Sequence, residues 1–293
     1  MIYHGFPKLV LDILLCPKDE GELAVEQAGE FLKAGDVRCV TCGQVYKIED
    51  GILRLDQLID NPQMKQEVTA RDAGAPRYDE RLSPRFYSEI KPTLDLLGSI
   101  KDQTILEYGA GTGRLTAELA GAGLVVAVDF SFSSLQLLAA KQINSPLALI
   151  CADATAVKFK AGTFDKVVAT QLIEHIPTRE LRQQFYNLIK KHLAANGLFL
   201  ASVYHHDLRR RWSKLPVEGE HKGGIFYHYF TAQELRQELA DIFKTVKIGY
   251  LDLTWPLLSR FKLSLKMVGW LSQVGTSIPL IRQLSHLLYV KAK

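Results

Sequence analysis

From residue 104 onward, short apolar runs alternate with longer stretches in which apolar positions recur every three or four residues. The runs at 104–108, 125–129, 147–151, 164–170 and 197–204 predict buried strands, and the stretches 113–121, 132–141 and 178–193 predict helices between them. Such alternation is the mark of an α/β fold with a doubly wound sheet. Ahead of it, Phe86 to Leu97 sets Ile90, Leu94 and Leu97 on one helical face. Behind it, Thr231 and Glu234 form a capping box that opens a helix over 231–240. Two more apolar segments follow, 245–251 and 286–291.

The first 58 residues follow a different rhythm. Two short alternating stretches, Leu23-Ala-Val-Glu and Glu30-Phe-Leu, lie between cysteines, and Gln44 to Leu55 follows. They predict a small β module that stands apart. Residues 59–83 are polar and carry Pro62, Gly74 and Pro76, which reads as a linker, and 84–293 forms the main domain. A chain of 293 residues with 47% apolar and 23% charged residues can build a large core plus a smaller one. No apolar run approaches the ~18 residues of a membrane span. The first residues show no basic segment leading into an apolar signal core, and the four cysteines read as reduced thiols, so a cytoplasmic protein is expected.

Candidate chemistry begins where the first long strand ends. Residues 105–113 read Ile-Leu-Glu-Tyr-Gly-Ala-Gly-Thr-Gly: a strand, a carboxylate at Glu107, then glycines at 109, 111 and 113. Glycines there let a ligand approach bare backbone. A dinucleotide fingerprint needs its third glycine one place later, where this chain has Arg114. The G-x-G-x-G form with an acid two residues ahead resembles motif I of class I S-adenosylmethionine (SAM) methyltransferases.

Three later motifs extend the resemblance. Val125-Val-Ala-Val-Asp129 ends a second strand in an acid at the spacing where nucleotide folds hold the ribose hydroxyls. The resemblance gives Asp129 that role and sets Phe130 against the adenine face. It assigns Asp153 and Ala154 to the adenine amino group and ring. Phe164-Asp-Lys-Val, followed by Leu-Ile-Glu174-His175-Ile, is similar to the fourth-strand motif of the small-molecule branch often called type 11. There the Gln171 backbone would border the methionine part of SAM, alongside Glu107, Gly109, Ala110, Gly111 and Gly113. Gly197 opens the fifth strand. The implied fold is a seven-stranded Rossmann-like sheet whose last two strands form a hairpin, the seventh antiparallel. Residues 252–285 would then be an insertion within that hairpin.

With SAM as donor, the reaction is chiefly a positioning task, and a base is needed only for a protonated acceptor. His175, just past the fourth strand, is the candidate base. Glu174 and His175 could instead hold a metal, as in some related quinone O-methyltransferases, or serve packing alone. His205 and His206, just beyond strand five, and His221 and His228, in the following loop, are further candidates, each of which reads as surface or structural before catalytic. No Asn/Asp-Pro-Pro-Tyr follows strand four, which argues against amino methylation of bases or glutamine. The absence of Pro-Cys there removes the covalent cytosine route.

Cys16-Pro-x-x, then Cys39-x-x-Cys42-Gly and Tyr-x-Ile-x-Asp-Gly-Ile-x-x-Leu55, resembles the zinc-ribbon activator subunit of tRNA and release-factor methyltransferases. Asp19 stands where a fourth cysteine belongs. Cys16, Asp19, Cys39 and Cys42 could hold structural zinc, or the ribbon has kept its fold without the metal. Charge then narrows the partners. The net charge is +4, yet residues 253–293 carry six cations and no acid, so the remainder is acidic overall. That argues against nucleic acid, the substrate of the main rival class, rRNA or tRNA base methyltransferases that also carry a ribbon. A non-catalytic SAM-fold protein that recruits partners is a further alternative, which the intact glycines oppose. Residues 257–274 form a helix apolar over most of its circumference, with a narrow polar stripe. It would be a lid over the acceptor pocket, or through 255–274 a peripheral membrane contact. Either favours a sizeable, apolar acceptor over a small polar one, and the leading reading is methyl transfer to a small-molecule or lipid-like acceptor at oxygen or carbon. The oligomeric state is not legible.

Overall fold

The computed structural model describes residues 4–59, 62–79, 86–141, 143–221, 223–253 and 263–293. The N-terminal module contributes strands β1 (Leu23–Ala24), β2 (Gly35–Cys39), β3 (Val45–Glu49) and β4 (Ile52–Arg54). Helix α1 (Pro62–Gly74) and helix α2 (Lys91–Leu97) follow, the latter preceded by a wide helical turn at Phe86–Ile90. The main domain then gives β5 (Thr104–Tyr108), β6 (Leu124–Asp129), α3 (Phe132–Ala139), β7 (Leu147–Cys151), β8 (Phe164–Thr170), α4 (Arg179–His192) and β9 (Leu193–Tyr204). Beyond them lie α5 (Leu208–Trp212), a hairpin of β10 (Glu218–His221) and β11 (Ile225–His228), α6 (Ala232–Leu239), β12 (Val246–Leu251), α7 (Leu265–Ser277) and β13 (Leu287–Ala292).

One mixed sheet of 11 strands runs through the molecule in the order β12-β13-β9-β8-β5-β6-β7-β4-β3-β2-β1. The expected α/β architecture is present, with parallel strands β9, β8, β5, β6 and β7 and with β13 antiparallel between β9 and β12. The sheet does not stop at seven strands. Strand β4 pairs parallel with β7, Ile52 opposite Leu149 and Leu53 opposite Ile150, so the N-terminal module continues the sheet. A second tie pairs Leu14–Leu15 antiparallel with Lys158–Phe159. The packing agrees with the pairing. Side chains alternate along a strand, so Leu53 enters the core with Phe159, Phe185 and Val203, while Ile52 enters the other with Leu135, Leu149 and Val168. The module therefore shares both cores of the main domain.

Three expectations change. The stretch read as a linker contains α1. Its Gln, Lys, Glu and Ala residues favour helix without making an apolar stripe, so periodicity gave no sign of it. The helix expected over 113–121 is reduced to a short turn at Thr116–Glu118. Its threonine hydroxyls go to tertiary partners instead, Thr112 to Asp79 at 2.5 Å and Thr116 to Glu107 at 2.7 Å. The helix expected over 257–274 is α7, shifted toward the C-terminus, and residues 254–262 lie outside the described residues.

Candidate active site

The parallel strands end in a cleft at their carboxyl edge, the usual place for a ligand in this architecture. Gly109, Gly111, Asp129, Phe130, Gln171 and His175 line it together. The cleft continues past Phe130, Leu172 and His175 to Asp153, Ala154 and Thr155. Glu107, Ala110 and Gly113 lie behind this wall. Gly113 takes φ +81°, and a Cβ there would sit 2.1 Å from Leu138, so the turn can rest on α3 only without a side chain. Glu107 is buried beneath the turn and accepts from Thr116. Burial raises its pKa to about 7, with the Thr116 bond opposing the rise.

Asp129 is held from two sides. Its carboxylate accepts from the Gly111 amide at 2.8 Å and the Ser131 amide at 2.8 Å. Burial raises its pKa, and those two amides act against the rise by favouring the charged form. Asp153 accepts from the Thr155 amide and hydroxyl, both at 2.8 Å and both on Oδ1. Gln171 takes φ +51°, a conformation uncommon outside glycine, at the end of β8. Its amide donates to Ser202 and its side chain to Glu89, which Arg114 also grips through both terminal nitrogens at 3.1–3.2 Å. Arg114, which sits where a dinucleotide fold has glycine, thus anchors the wall behind the cleft.

Sequence reasoning missed the opposite wall. Glu67, Arg71 and Ala75, from α1 and the turn after it, line the cleft with Tyr78. Asp72 pins α1 by accepting from the Ser131 hydroxyl at 2.5 Å and the Ser133 amide at 3.2 Å. Asp79 accepts from Thr112 and from Lys141 at 2.7 Å. Pro62 at the first helical position was the one available signal. The β10–β11 hairpin rests its tip on the same helix, Gly223 beside Ala70 and Gly224 beside Gln66. The outer wall of the cleft is therefore α1, with this hairpin packed on it. The α7 helix packs elsewhere, against the Phe86–Ile90 turn.

His175 stands at the junction of the two parts of the cleft. Its Nδ1 lies 2.6 Å from the Phe226 carbonyl and donates to it, which leaves Nε2 as an acceptor. Burial, aided by the positive Arg71, lowers its pKa to about 3, so the ring is neutral. Around it gather Tyr204 at 5.9 Å and His221 at 6.4 Å between ring centroids, with Tyr227 and Tyr229 beyond. Glu174 points into the interior. Burial pushes its pKa up to about 8, against partial relief from main-chain amides of its own residue and Tyr204. His205 bonds the Ser285 carbonyl at 2.9 Å, and His228 bridges Glu218 and Glu234.

The candidate metal ligands of the N-terminal module meet as well. One ligand atom each from Cys16, Asp19, Cys39 and Cys42 lies within 4.8 Å of all the others. This is the one such cluster of His, Cys, Asp or Glu among the described residues, and it does not include Glu174 and His175. Cys16 and Cys42 sulfurs are 3.8 Å apart, matching the edge of about 3.8 Å that a tetrahedron with zinc–sulfur bonds of about 2.3 Å requires. The donor set and its spacing fit zinc. Gly21 makes room for it, since a Cβ there would come 2.8 Å from the Cys39 sulfur.

Fold and cleft define a class I SAM-dependent methyltransferase architecture. Residues 105–197 match the family described as a methyltransferase domain. The demethylmenaquinone methyltransferase of Renibacterium salmoninarum is 39% identical over 107 residues, 34% of this chain and 44% of the relative. Phosphoethanolamine N-methyltransferase 1 of Triticum aestivum is 31% identical over 119 residues, 38% of this chain and 24% of the relative. The chain thus spans less than half the length of these curated relatives. Among solved structures, the DhpI complex with SAM and HEP superposes with a TM-score of 0.57 at 18% identity, over 80% of this chain and 99% of that one. A chain from the complex of the Haloferax volcanii Trm112 methyltransferase activator gives 0.55 at 18% identity, over 76% and 96%. These likenesses show a shared fold.

Proposed function

We propose that this protein is a SAM-dependent methyltransferase acting on a small or lipid-like acceptor at oxygen or carbon. The observation that carries the reading is the convergence of the glycine turn, Asp129, Phe130 and His175 on one cleft. SAM, when bound, supplies a methyl group already attached to a good leaving group. The chain's own residues then bind and orient. Asp129, whose charged form two backbone amides favour, accepts from the ribose hydroxyls. Phe130 stacks on the adenine, and Asp153 with the Ala154 amide reads the adenine edge. The Gln171 main chain borders the methionine end.

On the acceptor side, α1 and the hairpin exclude water, and the free Nε2 of His175 receives a hydrogen bond from an acceptor hydroxyl. A neutral ring with so low a pKa holds the acceptor in line and gains a proton only transiently, so orientation is its larger contribution. The tyrosine and histidine rings around it suit a partly apolar acceptor. In the N-terminal module, Cys16, Asp19, Cys39 and Cys42 hold zinc in a structural role, closed to chemistry by four protein ligands.

The test supplies SAM labelled on its methyl group together with cell extract separated into lipid, small-molecule and RNA fractions. Label is expected in the lipid or small-molecule fraction and absent with Asp129→Ala. Label confined to RNA would overturn the acceptor class in favour of the base-methylating alternative. No transfer to any fraction despite SAM binding would favour a partner-binding role.

A further inference from the structure

Helix α7 is packed inside out. Its buried positions are Gly269, Ser272 and Gly275, all small. A Cβ on Gly269 would meet Tyr87 at 2.4 Å, one on Gly275 would meet Leu253 at 2.3 Å, and the Ser272 hydroxyl accepts from the Leu253 amide. These contacts fix which side faces the protein. The opposite side carries Met267, Trp270 and Val274, which fall in one row at i, i+3 and i+7. They are 47%, 61% and 43% exposed, and Ile278 and Leu280 continue the apolar surface at 42% and 82%. A helix ordinarily turns such a row inward. The exposed row continues toward a neighbour: α7 packs on the turn Ile281–Leu284, and that turn packs on α5, where Trp212 is 90% exposed.

The exposed charged residues on α7 and α5 are all cationic. Lys266 flanks the row on α7, and Arg211 and Lys214 are exposed beside Trp212. No Asp or Glu occurs from Leu253 to Lys293. Asp207, the acid nearest Trp212 on its own helix, is buried and paired with Arg209. The nearest exposed acids that follow, Glu218 and Glu220, belong to the hairpin. No helix among the described residues is long and apolar enough to cross a membrane. An apolar row with aromatic residues and flanking cations is the chemistry of an interfacial helix, whose apolar side enters the headgroup boundary while cations meet anionic lipid.

We infer that α7, the turn after it and α5 form a peripheral docking surface for an anionic lipid bilayer. The surface is separate from the cofactor cleft and does not depend on the identity of the methyl acceptor. Flotation of the full chain with phosphatidylcholine vesicles, with and without anionic phosphatidylglycerol, tests it. Binding is expected to the anionic vesicles and to fall at least about tenfold in 0.5 M salt. Trp270→Ser with Met267→Ser, and separately Lys266→Glu, should each weaken it at least about fivefold with thermal unfolding and SAM binding unchanged. Both variants lie on the exposed side, so folding is retained. Absence of flotation with anionic vesicles would overturn the inference. So would concentration-dependent self-association abolished by the Trp270 variant, which would assign the surface to a second copy.

Discussion

Glu174 is fully buried beside the cleft and its pKa is raised from 4.5 to about 8, chiefly by desolvation. The folded protein therefore keeps this proton between those two values, where the unfolded chain has lost it. Its contribution to stability is complete below pH 4.5 and is lost as pH rises through 8. Glu174→Gln should remove that dependence. The variant is expected to unfold at higher denaturant than wild type at pH 9, by on the order of 1–3 kcal/mol, and to match it at pH 5. Urea titrations at the two pH values check this. An unchanged difference would show that the carboxyl is not the titrating group. His175 acts in the opposite sense: its pKa, lowered to about 3, gives stability present above pH 6.5 and lost on acidification. The two terms offset each other between pH 4.5 and 6.5, so together they favour mildly acidic pH.

At the scale of elements, strand β4 joins the module to the domain. Leu53 is fully buried and pairs across from Ile150. Leu53→Ala should cost about 2–5 kcal/mol and lower the unfolding transition of the whole chain rather than of the module alone. Differential scanning calorimetry that resolved an early, separate module transition would contradict the shared core. The Cys16, Asp19, Cys39 and Cys42 cluster, proposed above to hold zinc, belongs to the same module. Metal analysis of protein purified without chelator should find one zinc per chain, and Cys39→Ser should lose it, while metal-free wild type would refute the site.

The strands and their order of appearance were legible, because buried parallel strands are continuous apolar runs. The glycine turn and Asp129 were legible from spacing, and the motif resemblance pointed to Phe130 and His175, which line the same cleft. The wall made by α1 was not, since Glu67, Arg71 and Tyr78 come from a polar stretch whose helix is held by Asp72 and by the hairpin rather than by an apolar stripe. Nor could the sequence show which side of α7 faces outward. Small residues allow close approach, and only the contacts with Tyr87 and Leu253 show that the helix uses them.

For the molecule as a whole, one sheet of 11 strands carries a metal-ligand cluster near one edge and a cleft over its middle, with the basic C-terminal segment beside the opposite edge. The cleft is the centre of the account, because the SAM reading rests on it and the acceptor reading rests on SAM. Titration calorimetry of SAM against wild type and Asp129→Ala tests it most directly. Losing two charge-assisted hydrogen bonds at about 1.5 kcal/mol or more each should weaken binding at least about 100-fold. Wild type should bind saturably one-to-one and the variant should show that loss while circular dichroism shows its fold retained, at an unfolding midpoint lowered by the two amides left without an acceptor. Undiminished affinity in Asp129→Ala, or no binding by wild type, would contradict the SAM reading.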